Sequence, residues 1–235
     1  MKAVIVAAGR GSRLMNHRPK TLLPIDGSTI LEHILRNLNK AGIDEFIIVV
    51  GYQAQMIENY LKENDHFGLK IKTVFNEDWQ RGNGLSVYAA REAVDGESFV
   101  LSMSDHIVSP NALRRVIESS QSANLLLVDP DIQRIFDIDD ATKVFFDKAR
   151  IVRIGKELTG YNGIDCGIFR LKSDFFEGIE AQLKKGEESI SAAVRELIRL
   201  RDMEAVFMRN DEWWIDIDTP EAYAFARENL NKIER

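Results

Sequence analysis

The sequence holds one cysteine, Cys166, so it can form no internal disulfide and no cysteine-built metal cluster. A chain without disulfides suits a reducing compartment, and the cytoplasm is the expected location. No run of about 18 apolar residues occurs, so nothing in it reads as a membrane span. The apolar run Ala3 to Ala8 is shorter than the core of a signal peptide and opens directly onto Gly9-Arg10. Acid is also missing from one place: the net charge is −6, yet residues 1–25 hold five Lys or Arg and no Asp or Glu. A basic island in an acidic chain calls for an anion. Because the island is confined to one loop and makes no long basic stripe, it argues against nucleic acid as the main partner. At 235 residues and 45% hydrophobic, the chain can bury the core of one large α/β domain, and no separate second domain is required.

What is present centres on Met1 to Leu23. Ala3 to Ala8 is apolar without alternation, the pattern of a strand buried on both faces. Gly9 and Gly11 permit positive φ and let main-chain N–H groups approach a phosphate, while Arg10, Arg13, Arg18 and Lys20 add charge. Two familiar glycine motifs fail here. The third glycine of a dinucleotide fingerprint is replaced by Leu14, and Lys20-Thr21 follows Pro19 where a Walker loop has glycine.

The rest of the chain reads as strand, helix, strand, helix. Ser28 is positioned to cap a helix carrying Ile30, Leu31, Ile34, Leu35 and Leu38 and ending at Gly42. Strands are expected at 46–50, 70–75, 98–102, 124–128, 161–171 (interrupted by Gly163 and Gly167) and 205–208, and helices at 53–64, 85–93, 173–185 and 189–201. The expected fold is therefore a Rossmann-like, mostly parallel sheet flanked by helices, with ligands beyond the carboxyl ends of the strands. Around residues 130–165 the rhythm breaks into a hairpin, an antiparallel arm beside the substrate. The five aspartates between Asp129 and Asp140 read as a solvated loop.

At those carboxyl ends stand the remaining site candidates. Asn83, between Gly82 and Gly84, can donate and accept toward a base or ribose, although Asn-Gly is also an ordinary turn dipeptide. Asp105 follows a buried strand, where it can hold a cation such as Mg²⁺ or cap a helix. Neighbouring His106, with no cysteine nearby, is no zinc site and reads as a substrate contact or as a support for a residue that makes one. Lys143 and Lys156, on the hairpin, can bind a second phosphate or serve as surface charge. Asp165, between Gly163 and Gly167, can accept from the hydroxyls of a polyol or merely mark a bulge.

The run A-A-G-x-G-S-R-L followed by P-K-x-L-L-P resembles the signature of the nucleotidyltransferases that make sugar nucleotides and CDP-alcohols. The wider set GRGSRL, RPKTL, RGNG, SDH, ATKV, IGKEL, IDCGIF and WWIDIDT is similar to the cytidylyltransferase domain that converts inositol 1-phosphate and CTP into CDP-inositol. The resemblance implies a nucleotide site made by Ala7, Ala8, Gly9, Gly11, Ser12, Arg13, Lys20, Gly82, Asn83 and Asp105, with Arg13 and Lys20 catalytic. It implies an acceptor site at His106, Lys143, Lys156 and Asp165. It also implies Mg²⁺ on Asp105 and on Asp216 of the W-x-D element; the residues alone offer Thr219 or Asp218 as the cap of a last helix with Pro220 in its first turn, a reading in which Asp218 is no more than a cap. In that family the product feeds di-myo-inositol phosphate synthesis, through an alcohol phosphotransferase that is membrane-embedded. Two departures stand out: Ser104 where many relatives have glycine, and Asp218 where sugar-nucleotide enzymes have W-x-D-x-G-T.

The chemistry asks for little beyond charge. A phosphate monoester has a second pKa of about 6, so it is already a competent nucleophile at neutral pH and needs no general base. The barrier is the meeting of two anions, and cations with N–H donors lower it. A phosphocholine cytidylyltransferase, a hexose-1-phosphate uridylyl- or thymidylyltransferase, and a non-catalytic nucleotide-binding module remain as alternatives.

Overall fold

The computed structural model describes residues 1–14, 18–119 and 123–233. Strand β1 (Lys2–Ala7) feeds two cores alternately: Ala3, Ile5 and Ala7 join one cluster, Val4 and Val6 the other. An unbroken apolar run is what a strand covered on both faces requires. After two 3₁₀ turns, at Ser12–Leu14 and Lys20–Leu22, the ribbon of β2 (Pro24–Ile25) and β3 (Ser28–Thr29) leads into α1 (Ile30–Lys40). The cap of α1 is Thr29, whose hydroxyl accepts from the Glu32 N–H at 3.2 Å. Ser28, the expected cap, is instead paired with Ile25 in the ribbon. Strand β4 (Glu45–Val50), α2 (Ala54–Glu63), β5 (Lys70–Phe75), α3 (Asn83–Ala89), the single turn α4 (Arg91–Val94) and β6 (Phe99–Met103) complete the first half. Its four longer strands pair in parallel in the order β5-β4-β1-β6.

Beyond Met103 the topology changes. The remaining elements are β7 (His106–Val108), α5 (Pro110–Glu118), β8 (Asn124–Asp129), β9 (Lys143–Asp147), β10 (Arg150–Gly155) and β11 (Gly163–Leu171), then α6 (Phe175–Leu183), α7 (Ile190–Arg199), β12 (Met203–Phe207), β13 (Trp214–Asp216) and α8 (Pro220–Ile233). Nine strands form one sheet, β5-β4-β1-β6-β11-β8-β12-β10-β9. The sheet is mixed. Strand β11 runs antiparallel to both β6 and β8, while β12 runs parallel to β8. The hairpin β9–β10 forms one edge as expected, but β11, read in part as the end of an arm, is a central strand. Ile164, Cys166, Ile168, Phe169 and Leu171 are all buried, and such a strand needs a neighbour on each side. Among the described residues no helix is long and apolar enough to cross a membrane.

A separate two-stranded ribbon matters most for the site. Strand β13 pairs antiparallel with β7 and sets Asp216 directly opposite His106. The Ile217 N–H donates to the carbonyl of Asp105 at 3.0 Å and closes the pairing. Two segments separated by more than a hundred residues are thereby brought together beyond the end of β6.

Candidate active site

The turn after β1 bounds a chamber of about 160 Å³, lined by Ala7, Gly9, Gly11, Lys20, Asn83 and Asp105 among others. Gly11 has φ +60, and a Cβ there would lie 2.7 Å from the Cβ of Lys20, so this glycine lets the lysine stem cross the turn. Gly9 needs no such freedom, since a Cβ there meets nothing within 4 Å among the described residues. Ala8 does not line the chamber: it is buried, and its carbonyl accepts from Tyr52 N at 2.9 Å. Ser12 and Arg13 stand on the exposed 3₁₀ turn outside the lining.

Lys20 crosses to the far wall. Its ammonium donates to Asp105 Oδ2 at 2.6 Å and to Asp218 Oδ1. Burial opposes that charge, yet Asp105 and Asp218 raise the ammonium above its ordinary value. Arg13 extends the web, donating to Asp218 Oδ2 at 3.0 Å and to Asp140 Oδ2 at 2.5 Å, and Lys156 reaches Asp140 Oδ1 at 3.0 Å. The run of aspartates is thus more than a solvated loop. Asp140 joins this web, and Asp129 is wholly buried, accepting from Arg134 Nε and Trp214 Nε1, each at 2.8 Å.

Asp105 also accepts from His106 Nδ1, at 2.6 Å, and Asp216 Oδ1 lies 3.8 Å from the same nitrogen. Burial would raise the Asp105 carboxyl, but Lys20 and His106 hold it well below the usual carboxylate range. Burial also works against His106, which Asp216 and Asp105 nevertheless push up to about 9. The Asp216 carboxyl goes the other way. Burial pushes it up to about 7, against the pull of His106, and its Oδ1 is a buried acceptor with no hydrogen-bond partner among the described residues. Trp214 stacks on the His106 ring at 5.6 Å and 9°.

A second chamber of about 250 Å³ shares Asn83, Met103 and Asp105 with the first and adds His106, Lys156, Asp165, Asp216 and Asp218. Asp165 folds back to accept from Gly167 N at 2.7 Å, and burial pushes its carboxyl up to about 6. Gly167 has φ +71, and a Cβ there would lie 2.6 Å from the His106 ring, so this glycine makes room for the histidine. Lys143 does not join the chamber, because its ammonium turns to the Asp139 carbonyl at 2.9 Å. Gly82 gives no room to a ligand either. A Cβ there would meet the Glu188 carbonyl oxygen at 2.3 Å, so its lack of a side chain serves the packing of the segment before α7. Asn83 lines both chambers with its Oδ1 held by Ile190 N at 2.9 Å.

Two chambers meet at Asp105, with Lys20 in the first and Lys156 in the second, and the sequence profile of the MobA-like NTP transferase domain matches residues 3–167. The chain belongs to that family. Among relatives, it is 31% identical over 97% of its length to a protein of Thermococcus kodakarensis named "Bifunctional IPC transferase and DIPP synthase", covering 50% of that protein. It is 33% identical over 94% of its length to the protein of the same name from Archaeoglobus fulgidus, covering 42% of it. The chain therefore spans about half the length of these relatives. Among solved structures, "the inositol-1-phosphate CTP transferase from T. maritima" superposes with a TM-score of 0.88 at 25% identity, covering all of this chain and 96% of that one. A UDP-glucose pyrophosphorylase with UDP-glucose shares the fold, with a TM-score of 0.84 at 18% identity, covering 98% of both chains.

In this NTP transferase, Asp105, His106 and Asp216 offer ligand atoms that all lie within 4.8 Å of one another. The partnerless Asp216 oxygen is the kind of acceptor that a divalent cation satisfies, so the donor set fits a metal. Sequence reasoning missed Asp218 and Asp140. Asp218 looked like a cap because Thr219 and Pro220 follow it, but Thr219 Oγ1 caps α8 by accepting from Ala222 N at 3.1 Å. The hydroxyl alone suffices, and a second capping residue in a row was the available signal that Asp218 had other work. Asp140 carried no local signal at all.

Proposed function

We propose that this chain transfers the cytidylyl group of CTP to inositol 1-phosphate, giving CDP-inositol and pyrophosphate. The observation that carries this reading is the meeting of Asp105 and Asp216 across the β7–β13 ribbon, at the seam between a glycine-turn chamber and an acceptor chamber. The glycine turn and Lys20 hold the triphosphate, Arg13 covers it from the rim, and Asn83 faces the base or ribose. Lys156 takes the acceptor's phosphate, and Asp165 with His106 meets the inositol hydroxyls. Asp105 and Asp216 would hold Mg²⁺, which when bound would supply positive charge toward the phosphate oxygens of the nucleotide. An oxygen of the inositol phosphate bonds to the α-phosphorus, the bond from that phosphorus to the bridging oxygen breaks, and the electron pair leaves with pyrophosphate. No proton moves in the bond-making step, because the nucleophile is already deprotonated.

The second activity in the relatives' name, DIPP synthase, supports a fate for the product: CDP-inositol passes to an alcohol phosphotransferase that makes di-myo-inositol phosphate. Pyrophosphate release with Mg²⁺, measured for four nucleotides against inositol 1-phosphate, phosphocholine and glucose 1-phosphate, tests the reading. The largest kcat/KM is expected for CTP with inositol 1-phosphate. A larger value for another pair reassigns the substrates, and no release with any pair removes the activity.

A further inference from the structure

Three cations and three carboxylates of the site form one connected web: Lys20 with Asp105 and Asp218, Arg13 with Asp218 and Asp140, Lys156 with Asp140. Their charges cancel, so the web as it stands offers little net attraction to a triphosphate. Asp105 has a further task beside Asp216, but Asp140 lies outside the metal-fitting cluster and spends one oxygen on each of two cations. Those cations belong to different halves of the site. Arg13 follows the glycine turn, and Lys156 follows β10 on the acceptor side. The Asp140 main chain is anchored as well: Ala141 is buried, and the Thr142 carbonyl accepts from Asp165 N at 2.9 Å. Asp140 is thus held at the seam by its backbone and does not merely drift there with an exposed loop.

We propose that Asp140 is an internal counter-anion, which occupies the phosphate seat between Arg13 and Lys156 and is displaced when a polyphosphate enters. The proposal rests on the substrate reading above only in that both need a polyphosphate at Arg13. Asp140 is a positioning residue: it keeps both cations aimed at the seam and masks them until an anion of higher charge competes. Arrival of the nucleotide at Arg13 removes one of the two tethers, and repulsion from the phosphates weakens the other. Lys156 is then released to the acceptor after the nucleotide is in place.

The test is a titration with inorganic tripolyphosphate at low ionic strength, followed by the fluorescence of Trp79 and Trp214, which line the two chambers. Pairs as exposed as these are worth up to about 1 kcal/mol, so Asp140→Asn should bind tripolyphosphate about two- to five-fold more tightly than the parent. The difference should shrink at high salt. Asp137→Asn changes the net charge equally on the same loop, outside the web, and should bind as the parent does. Equal or weaker binding by Asp140→Asn, or equal tightening by Asp137→Asn, overturns the proposal, and Asp140→Ala must rank with Asp140→Asn. Cytidylyl transfer is assayed in parallel. Tightening without turnover of CTP by any of the proteins would leave the counter-anion standing and remove the substrate reading, whereas turnover without tightening would do the reverse.

Discussion

The two chambers are built in different ways. The glycine-turn side is made from segments at the ends of the parallel strands, with Ala7, Gly9, Gly11 and Lys20 on one wall and Trp79, Asn83 and Asp105 on the others. The acceptor side is made mostly from residues 105–218, gathered by the β7–β13 ribbon, the antiparallel β11 and ion pairs between distant segments. Backbone geometry shapes the first, whereas mutual charge holds the second. The nucleotide side should therefore respond to substitution mainly through rate, and the acceptor side through stability, pH and acceptor affinity.

Asp105 and Asp216 sharpen the contrast most, because they sit on the seam with opposite surroundings. Both Asp105→Asn and Asp216→Asn should abolish turnover. Their metal-free melting temperatures should move in opposite directions. Asp105 is fully partnered by Lys20 and His106, so its loss leaves Lys20 with Asp218 alone and His106 with only the more distant Asp216, and lowers stability. Asp216 has a buried oxygen without a hydrogen bond and a carboxyl pushed up to about 7, so a neutral amide relieves the fold by roughly 1 kcal/mol. A drop in melting temperature for both variants would break this assignment.

Lys20→Met comes next. Loss of one preorganised donor to developing charge typically costs about 3 kcal/mol, so kcat should fall on the order of a hundredfold or more. Arg13→Met should cost less, because Arg13 is half-exposed and reaches the site from its rim. If the two lost equal rate, the distinction between a buried phosphate holder and a rim cation would fail.

How much of this was legible from sequence divides along the same line. Strand β1, the helix after it, the parallel order of the first half and the chamber at Gly11 and Lys20 follow from local signals: apolar runs, caps and glycines within a few residues of one another. Asp105 and Asp216 were legible through motifs, although nothing local says that a ribbon brings them together. Asp140 and Asp218 were not legible as partners of Arg13, since an ion pair across 127 or 205 residues leaves no periodicity behind. Gly82 misled for a related reason. Its crowding comes from Glu188, more than a hundred residues away, and a glycine that clears a path for distant backbone looks the same in sequence as one that clears it for a ligand.

Asp165 gives a test of the acceptor side that needs no substrate. Burial pushes its carboxyl up to about 6 from the ordinary 3.8, despite the Gly167 N–H and His106, which favour the charged form. Between those values the folded protein keeps a proton that the unfolded chain has released, so stability falls as pH rises from about 4 to about 6 and stays reduced above. Asp165→Asn keeps an oxygen for the Gly167 N–H and removes the ionisation. At about pH 7.5 it should be more stable than the parent by on the order of 2 kcal/mol, and at about pH 3.5 the two should unfold alike. A gain that is the same at both pH values would show that packing, and not charge, sets the difference.

The smallest effect separates the two lysines of the hairpin. Lys156 lines the acceptor chamber and is tied there by Asp140, whereas Lys143 is spent on the carbonyl of Asp139. Lys156 is about half-exposed, so its charge is partly screened and its worth to an acceptor phosphate is about 1 kcal/mol. Lys156→Ala should therefore weaken inositol 1-phosphate about five-fold and CTP less, while Lys143→Ala should change neither by more than about two-fold. Calorimetry checks the ranking, with CTP titrated alone and inositol 1-phosphate titrated into protein already holding a non-reactive CTP analogue, since Asp140 holds Lys156 until the nucleotide is in place. If Lys143→Ala proved the more damaging of the pair, the acceptor's phosphate would have to lie over β9 near Asp139, outside the chamber that meets the nucleotide side at Asp105.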